Sequence, residues 1–345
     1  MPTKKMIAAL VAALPFVAHA QSSVVLYGMV DTGLQYINHA GANGGSQSGL
    51  INGGFWPSRF GLRGKEDIGG NTSVLFQLEN AFDSTSGALI PSGVLFNRTS
   101  LVGAMNPAFG TLTAGRQYGV QYDKTLFYDP TSLASYSILS LGLIPLTTLR
   151  LSNSVKYVSP SFSGFNVEAM YGFGQQLPGN TVAGRYIGSA LEYAHGPLSV
   201  RFVYEESRGT VDTVDQSGLA DRRYSVAATW SVPSRYQLSA GATRIGGDLQ
   251  LTPRGTVYWA TGGIWASPTV NLDLTVGRYD YQGTGKHSQM ITASGRYFLS
   301  KATYLYANAG YMANQGDADL SIYNYDTTQP GKNQLGLSIG INKRF

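Results

Sequence analysis

Apolar and polar side chains alternate with a period of two along nearly the whole chain after its first twenty residues. Leu272, Leu274 and Val276, for example, are separated by Asp273 and Thr275. This period is typical of β-strands, in which successive side chains point to opposite faces. After the first twenty residues, no run of 18 or more apolar residues offers a membrane-spanning helix. The chain is therefore either a soluble β-protein or one that crosses a membrane with strands.

The connections between these alternating segments are of two kinds. Seven are short and rich in Gly, Pro and Asn, which favour turns, and eight are longer and mostly polar. The short ones are residues 69–71, 106–110, 159–164, 195–197, 232–234, 267–269 and 299–301. The long ones are residues 39–57, 83–94, 118–152, 174–184, 208–220, 246–253, 282–286 and 316–332. Fifteen connections predict sixteen strands.

An even strand number, with tight turns at one end and long loops at the other, is typical of bacterial outer-membrane barrels. Closure of the sheet pairs every backbone amide and leaves no edge strand. We therefore predict an all-β fold, a 16-stranded antiparallel transmembrane β-barrel with short periplasmic turns and long extracellular loops. A soluble β-sandwich would leave no place for so many polar inner faces, and a propeller would need a blade repeat that the chain lacks.

The first twenty residues have the composition of a secretory signal. Lys4 and Lys5 precede an apolar segment, residues 6–17, and small residues follow at 18–20. We predict a signal peptide over residues 1–20 and a single barrel domain over residues 21–345. Without Lys4 and Lys5 the formal net charge falls from +5 to +3, which gives no reason to expect nucleic-acid binding. The chain has no cysteine, so cysteine usage does not indicate the compartment.

The long connection at residues 118–152 is unusual in both length and composition. Loops longer than about 12–15 residues are uncommon and are often functional. Its second half, residues 133–149, is uncharged and largely apolar, with Pro145 within it, and is too apolar for a solvated loop. We predict that about residues 120–150 fold into the barrel and narrow a water-filled channel. A surface loop that docks a partner is the alternative.

Several stretches of the chain resemble the general diffusion porins of Gram-negative bacteria, specifically the β-proteobacterial type of outer-membrane porin. They are QSSVVLYGMVDTGLQY, SRFGLRGKEDIGG, FQLEN, FNRTSLVG, GTLTAGRQYG, RLSNSVKYVSP and the terminal GLSIGINKRF. The resemblance implies a sixteen-stranded barrel, a homotrimer and an inward-folded third loop. The last strand, with Ile339, Ile341 and Phe345 on one face, resembles the signal read by the barrel-assembly machinery. Lys343 departs from that apolar face.

Charged residues on the inner face are the candidates for a selectivity filter, because rings of charge set selectivity in wet pores. The predicted basic wall consists of Arg59, Arg63, Arg98 and Arg116. The resemblance places Arg59, Arg98 and Arg116 at the constriction of the family, whereas face parity adds Arg63, Lys65 and Lys156. The predicted acidic side consists of the loop residues Asp123 and Asp129, with Asp31 and Glu79 as further pore-lining residues.

Two further sets of residues carry predictions about the outer surface. Aromatic residues near strand ends predict interface girdles, with a sugar-binding slide as the alternative. They are Tyr171, Phe173, Tyr193, Trp230, Tyr236, Trp259, Trp265 and Tyr297. Small or polar residues predicted on the outer faces of the first five strands suit a contact between subunits of the trimer. They are Gly28, Thr32, Thr99, Gly103, Thr111 and Thr113.

Together these features predict a passive, water-filled outer-membrane channel for small hydrophilic solutes and ions, with a weak to moderate anion preference. A substrate-selective porin and a loop-mediated adhesin or structural barrel are the alternatives. No enzymatic constellation can be assembled, and His39, His195 and His287 are too scattered to suggest a metal site. We expect no cofactor or metal. The expected partners are the homotrimer, outer-membrane lipid and lipopolysaccharide, and the barrel-assembly machinery, with no nucleic acid.

Overall fold

The computed structural model describes residues 23–141, 146–323 and 328–345, so the predicted signal peptide lies outside the described residues. The described chain is almost entirely β-structure, with three short helices in one connection. The strands are β1 Ser23–Ala40, β2 Gly45–Asn52, β3 Arg59–Gly69, β4 Thr72–Ala81, β5 Thr99–Asn106, β6 Gly110–Tyr118, β7 Arg150–Val158, β8 Phe165–Gly172, β9 Tyr186–His195, β10 Leu198–Arg208, β11 Ala220–Val232, β12 Tyr236–Gly247, β13 Gly255–Ser267, β14 Val270–Tyr281, β15 His287–Ser300, β16 Thr303–Gln315 and β17 Gln334–Arg344. The helices are α1 Val120–Tyr128, α2 Ile138–Leu141 and α3 Leu146–Leu149.

The sheet closes because β1 pairs with both ends of the strand order. One side of β1 pairs with β17, in a register that places Thr32 opposite Ile341. The other side pairs with β2 at residues 32–40 and with β3 at residues 23–29. Since β2 and β3 occupy successive halves of one position, the seventeen strands fill sixteen positions of an antiparallel barrel. The predicted strand number and fold class are confirmed.

One predicted loop contains a strand. Residues 45–52, which the sequence assigned to the first long connection, form β2 and extend the β1 hairpin as far as Ala40↔Gly45. The sequence GSQSGLIN is polar and shows little alternation, because this part of the hairpin has no apolar face to bury. The seven short turns lie where the sequence placed them, each joining two consecutive strands.

The two faces of the sheet have opposite chemistry. On β14, Leu272, Leu274 and Val276 are exposed on the outer face, whereas Asp273 and Thr275 are buried inside. Cross-strand neighbours share a face, so the outward apolar surface is continuous from strand to strand. Of the helices within the described residues, none has both the length and the apolar composition that crossing a membrane requires.

Several predictions about the faces were wrong. Trp259 is only 5% exposed and points into the barrel, so it is not part of an outer girdle. Thr99, Thr111 and Thr113 line the interior, and Gly103 pairs with Thr113 and shares its inner face. These four positions therefore offer no outer contact for a trimer. The outer face of β5 and β6 instead carries Ser100, Ala104 and Ala114 beside Val102 and Leu112, because neighbours on one strand alternate between faces.

The C-terminal residue completes the closure of the barrel. The backbone N–H of Phe345 donates to Gly28 O at 3.1 Å, and Gly28 N–H donates to Phe345 O at 3.0 Å. A Cβ at Gly28 would lie 2.6 Å from the Phe345 ring, so this position needs glycine for the ring to pack there. Ile339, Ile341 and Phe345 are exposed on the outer face with Lys343, as the alternation predicted.

Residues 119–149 connect β6 to β7, and their described part lies inside the barrel. Ile138 and Leu139 are fully buried, and they belong to one apolar cluster with Trp259, Met290 and Met312 of the inner wall. This packing accounts for the apolar composition of the segment, since its side chains cover apolar residues of the wall. Strand β7 begins at residue 150, three residues earlier than the sequence pattern indicated.

Candidate functional site

Helix α1 is anchored to the inner wall by hydrogen bonds along its buried face. At its start, Val120 N–H donates to the Tyr186 hydroxyl at 3.1 Å and Gln121 N–H donates to Glu205 Oε1 at 2.8 Å. One turn later, Arg201 Nη2 donates to Thr125 Oγ1 at 3.1 Å. The first backbone N–H groups of a helix have no partner within the helix, so the wall supplies acceptors that fix the helix start.

The chain after α1 crosses the lumen to the opposite wall. Arg296 Nη2 donates to Pro130 O at 3.1 Å, and Thr292 Oγ1 donates to Tyr136 O at 2.9 Å. Trp56 Nε1 donates to Ser132 O at 3.1 Å from the segment between β2 and β3. The segment therefore contacts the barrel wall on both sides of the lumen.

The inner wall of β3–β7 and the described part of residues 119–149, which we call the inward segment, enclose a cavity of about 490 Å³. Its polar and charged lining combines residues predicted from the sequence with others that were not. The ionisable lining residues are Arg59, Glu79, Arg98, Tyr118, Tyr122, Asp123, Arg150 and Lys156. The cavity thus brings together Arg59, Arg98 and Arg150, which come from three separate parts of the wall, with Tyr122 and Asp123 of helix α1.

Glu79 of β4 joins two of these arginines. Its Oε1 accepts a hydrogen bond of 2.6 Å from Arg98 Nε, and its Oε2 lies 3.9 Å from Arg59 Nε. The Tyr27 hydroxyl also donates to Glu79 Oε2 at 3.0 Å. Arg98 is only 3% exposed and Glu79 only 6%. A single carboxylate therefore compensates two guanidinium groups, and this part of the wall keeps an excess positive charge.

Arg150 is a third cavity arginine, and sequence reasoning missed it. Its guanidinium carbon lies 4.9 Å from the centre of the Tyr118 ring, and that of Arg98 lies 5.7 Å from the same ring. Tyr118 and Tyr122 stack with ring centres 4.3 Å apart. Cations over aromatic faces are attracted by the ring quadrupole. Arg150 forms no ion pair among the residues that the structure describes.

The acidic residue Asp123 faces the cavity from α1, where it is paired with a cation. Its carboxylate accepts a hydrogen bond from Lys156 Nζ, which also donates to Tyr118 O at 3.0 Å. Burial raises the pKa of Asp123 above its ordinary value, and the nearby Lys156 ammonium only partly offsets this effect. Lys156 also lies 3.9 Å from Glu168 on the adjacent strand.

Three predicted basic residues do not line the cavity. Arg63 is exposed with its guanidinium 5.1 Å from the Tyr27 ring, and Lys65 is exposed near the short-turn end of β3. Arg116 donates instead to Asn97 O at 2.7 Å and to Ser152 Oγ at 2.8 Å. Arg116 pairs in register with the outward Ser100, whereas Thr111 and Thr113 of the same strand line the cavity, so simple alternation accounts for its direction.

Two predicted acids are structural. Asp129 is 2% exposed, and its carboxylate accepts hydrogen bonds from Thr131, Leu133 and Ser137 within the inward segment. Asp31 is fully buried in the wall, where it accepts hydrogen bonds from backbone and side-chain donors. Those donors are Phe55 N, Trp56 N, Tyr306 Oη and Asn342 Nδ2. Neither carboxylate lines the cavity.

The cavity therefore has an unequal charge balance. Four cationic side chains, Arg59, Arg98, Arg150 and Lys156, face two carboxylates, Glu79 and Asp123. Both carboxylates are ion-paired, so each offsets the charge of one cation. The remaining cations keep the cavity positive, because guanidinium groups stay charged at any working pH. Such a surface attracts small anions and repels cations.

The sequence and fold match known proteins along their length. A family model described as Gram-negative porin matches residues 7–317. The outer membrane porin protein 32 of Delftia acidovorans is 30% identical over 99% of this chain and 99% of its own length. An outer membrane porin protein of Bordetella pertussis is 32% identical over 61% of this chain and 62% of its own. The solved anion-selective porin from Comamonas acidovorans is 28% identical, with a TM-score of 0.79 over 94% of this chain and all of its own.

The closed barrel and the water-accessible charged cavity define a channel-forming protein of the outer membrane. The chain belongs to the Gram-negative porin family. It forms a channel for passive diffusion across the outer membrane, as the sequence predicted.

Proposed function

We propose that the channel prefers anions and that the cavity between the inward segment and the wall is its selectivity filter. The observation that carries this proposal is that Arg59, Arg98 and Arg150 line one cavity, in which Arg59 and Arg98 share the carboxylate of Glu79 and Arg150 has no ion pair among the described residues. The similarity to the anion-selective porin from Comamonas acidovorans supports it. Small hydrophilic anions are the preferred solutes, and the chain carries no catalytic activity.

The test is the reversal potential of single channels in a planar bilayer under a salt gradient. Wild type is compared with the Arg59→Ala/Arg98→Ala/Arg150→Ala variant and with the Arg63→Ala/Lys65→Ala/Arg116→Ala control. The control also removes three cations, but none of them lines the cavity. Loss of anion preference in the first variant alone supports the proposal. Cation preference of the wild type, or equal effects of the two variants, refutes it.

The inward segment is the constricting element of this channel in our proposal. It contacts opposite walls through Arg201 and Arg296, so it reduces the free cross-section of the lumen. Deleting residues 131–140 is expected to increase the single-channel conductance and to weaken the size limit for solutes. An unchanged conductance would show that the segment does not set the width.

The assembled state is a homotrimer in our proposal, with the outer face of β5 and β6 in the subunit contact. That face carries the small residues Ser100, Ala104 and Ala114, which allow close approach of a neighbouring wall. Replacing Ala104 and Ala114 with Trp is expected to yield monomers on native electrophoresis. Leu272→Trp, on the opposite lipid-facing wall, is the control that should remain trimeric.

Export and insertion complete the proposal. Residues 1–20 are removed as a signal peptide, which N-terminal sequencing of the mature protein tests. The barrel-assembly machinery reads the outward residues Ile339, Ile341 and Phe345 of the last strand. Phe345→Ala is therefore expected to lower the amount of inserted barrel in cells. Outer-membrane lipid and lipopolysaccharide surround the apolar wall.

A further inference from the structure

The cavity between the inward segment and the wall has an apolar as well as a charged lining. Its apolar residues include Trp56, Pro57, Leu101, Leu126, Leu133 and Leu149. Within the described part of the inward segment, Asp123 is the one charged residue that lines the cavity, and its carboxylate is paired with Lys156. A small inorganic anion gains nothing from apolar surface, whereas a solute with an apolar body does. The lining therefore suits an anion that carries an apolar body.

The strand register places one of the leucines directly beside the arginine cluster. Glu79, which binds Arg98, is followed on the inner face of β4 by Gln77, and Gln77 pairs in register with Leu101. On its other side Leu101 pairs with Gly115, which has no side chain to cover it. Successive residues on one face of a strand lie about 7 Å apart. An anion held by the arginines can therefore lay a body of roughly that length against Leu101.

Flat groups form the part of the lining where α1 meets the wall. The rings of Tyr118 and Tyr122 stack with centres 4.3 Å apart and planes inclined by only 13°. The guanidinium carbon of Arg150 lies 4.9 Å from the centre of the Tyr118 ring. Tyr122 is half-buried and lines the cavity. Aromatic rings attract other rings in offset stacks and attract guanidinium groups over their faces, so a planar solute fits this region better than a bulky one.

Arg150 is the cavity arginine that is available to a carboxylate. Its Nε is buried and has no hydrogen-bond partner among the residues that the structure describes. The Nε of Arg98, in contrast, donates to Glu79 at 2.6 Å. A buried donor without an acceptor is unfavourable, and the planar fork of a guanidinium fits the two oxygens of a carboxylate. An incoming carboxylate therefore gives Arg150 the counter-ion that the described wall does not supply.

We propose that the cavity is a binding site for aromatic carboxylates, with the carboxylate on Arg150 and the ring against Tyr122 and Leu101. This inference rests on the proposed anion preference and names the solutes that the same site favours. The cavity volume of about 490 Å³ falls within the range of small-molecule pockets, about 300–1,000 Å³, which combine an apolar lining with a few polar groups. The channel then selects anions by the shape and polarity of their bodies in addition to their charge.

The test measures how added solutes block the single-channel current carried by potassium chloride at neutral pH. The probes are benzoate, cyclohexanecarboxylate, acetate and the uncharged benzyl alcohol, each titrated to its half-blocking concentration. Benzoate should block at a concentration at least roughly tenfold lower than acetate, and several-fold lower than cyclohexanecarboxylate. Equal potency of benzoate with either of these carboxylates overturns the proposal. Equal potency of benzyl alcohol overturns it as well, because the arginines would then contribute nothing.

Two uncharged substitutions test the apolar and the planar part of the site. Leu101→Thr should raise the half-blocking concentration of benzoate several-fold and leave that of acetate unchanged. Its matched control is Leu75→Thr, which makes the same change on β4, two residues before Gln77 on the same face, but outside the cavity lining. Tyr122→Leu keeps an apolar side chain but removes the flat ring, so benzoate should lose its advantage over cyclohexanecarboxylate. Equal effects of the two leucine variants, or an advantage that Tyr122→Leu retains, overturn the proposal.

The reversal potential in a potassium chloride gradient separates this inference from the proposed anion preference. Leu101→Thr and Tyr122→Leu change no charge, so both should keep the anion preference of the wild type. An anion-selective wild type that benzoate blocks no better than acetate overturns the aromatic site alone. A wild type without anion preference refutes the proposed function, whatever benzoate does. Heat-dependent migration on gels verifies that each variant is folded.

Discussion

Arg98 Nε donates a hydrogen bond of 2.6 Å to Oε1 of Glu79, and both side chains are buried in the wall beside the cavity. The same carboxylate has Arg59 at 3.9 Å and receives the Tyr27 hydroxyl at 3.0 Å. Like charges at this spacing repel each other, so two neighbouring guanidinium groups need a shared counter-ion. Glu79 is therefore the residue that makes a dense arginine cluster compatible with a folded wall.

Glu79→Gln should destabilise the barrel while making the cavity more positive. Removing one partner of a buried ion pair costs about 3–5 kcal/mol, because the remaining charge is left uncompensated. We expect a loss of up to about that size in the free energy of unfolding, measured by urea titration in lipid vesicles. The control is Glu66→Gln, which replaces an exposed acid on β3. It should change the free energy of unfolding by less than about 0.5 kcal/mol. Equal stability of both variants would contradict the scaffold role.

Arg150→Ala should reduce the anion preference, and Arg116→Ala should not, because only Arg150 lines the cavity. A unit charge about 8 Å from the ion path contributes about 0.5 kcal/mol in water, with opposite sign for anions and cations. The anion-to-cation permeability ratio should then fall by roughly fivefold at low ionic strength. Reversal potentials of the two variants provide the measurement, and a larger effect of Arg116→Ala would contradict this assignment.

The fold was predictable from the sequence because its determinants are local. Alternation assigns strands, and Gly, Pro and Asn mark turns, so sixteen strand positions could be counted without any tertiary contact. The same reasoning missed β2 because GSQSGLIN forms a hairpin extension with no alternating apolar face. It also left the inward face of Trp259 unrecognised, since an apolar inner wall exists only where the inward segment covers it.

The site was predictable only in part, because the direction of each charged side chain also depends on strand pairing and on contacts that the alternation of the sequence does not show. Arg116 was placed at the constriction by resemblance, whereas its register pairing with the outward Ser100 puts it on the face opposite to Thr111 and Thr113. Arg150 was assigned to a loop because its strand continues beyond the alternating segment. Asp129 is an acidic residue in the predicted constricting loop, but its carboxylate accepts hydrogen bonds from within that loop and stabilises the loop conformation.

Asp129→Ala should loosen the inward segment without changing the charge that lines the cavity. The carboxylate accepts hydrogen bonds from Thr131 N at 2.9 Å, Thr131 Oγ1 at 2.7 Å, Leu133 N at 3.2 Å and Ser137 Oγ at 2.6 Å. We expect larger current fluctuations within the open state and a higher mean conductance in single-channel recordings. Each lost hydrogen bond to a charged group removes about 1.5–3 kcal/mol of local stabilisation.

Asp83→Ala is the matched control for this change. Asp83 also accepts hydrogen bonds from its own loop, from Thr85 N at 2.8 Å, Thr85 Oγ1 at 2.8 Å and Ser86 Oγ at 3.0 Å. That loop follows β4 outside the cavity, so loosening it should not increase the current fluctuations within the open state. Equal fluctuations in the two variants would mean that the segment is fixed by its wall contacts alone.

The anion preference should rise as the pH falls through the pKa of Asp123. Burial raises that pKa above 3.8, the ordinary value for aspartate, despite the neighbouring Lys156. Protonation therefore removes a negative charge from the cavity at a less acidic pH than an exposed aspartate would require. Above this pH the carboxylate is charged and offsets one cation; below it the cavity gains one unit of positive charge.

The measurement is the reversal potential of the wild type between pH 7 and about pH 3, with Asp123→Asn as the test variant. This variant should show the high, acid-like anion preference at every pH, because its cavity lacks the titrating charge throughout. Asp215→Asn serves as the control: it removes an exposed loop aspartate whose carboxylate accepts hydrogen bonds from Ser217 and whose pKa is lowered by them. It should titrate like the wild type. A pH dependence that persists in Asp123→Asn would place the titrating group elsewhere in the lumen.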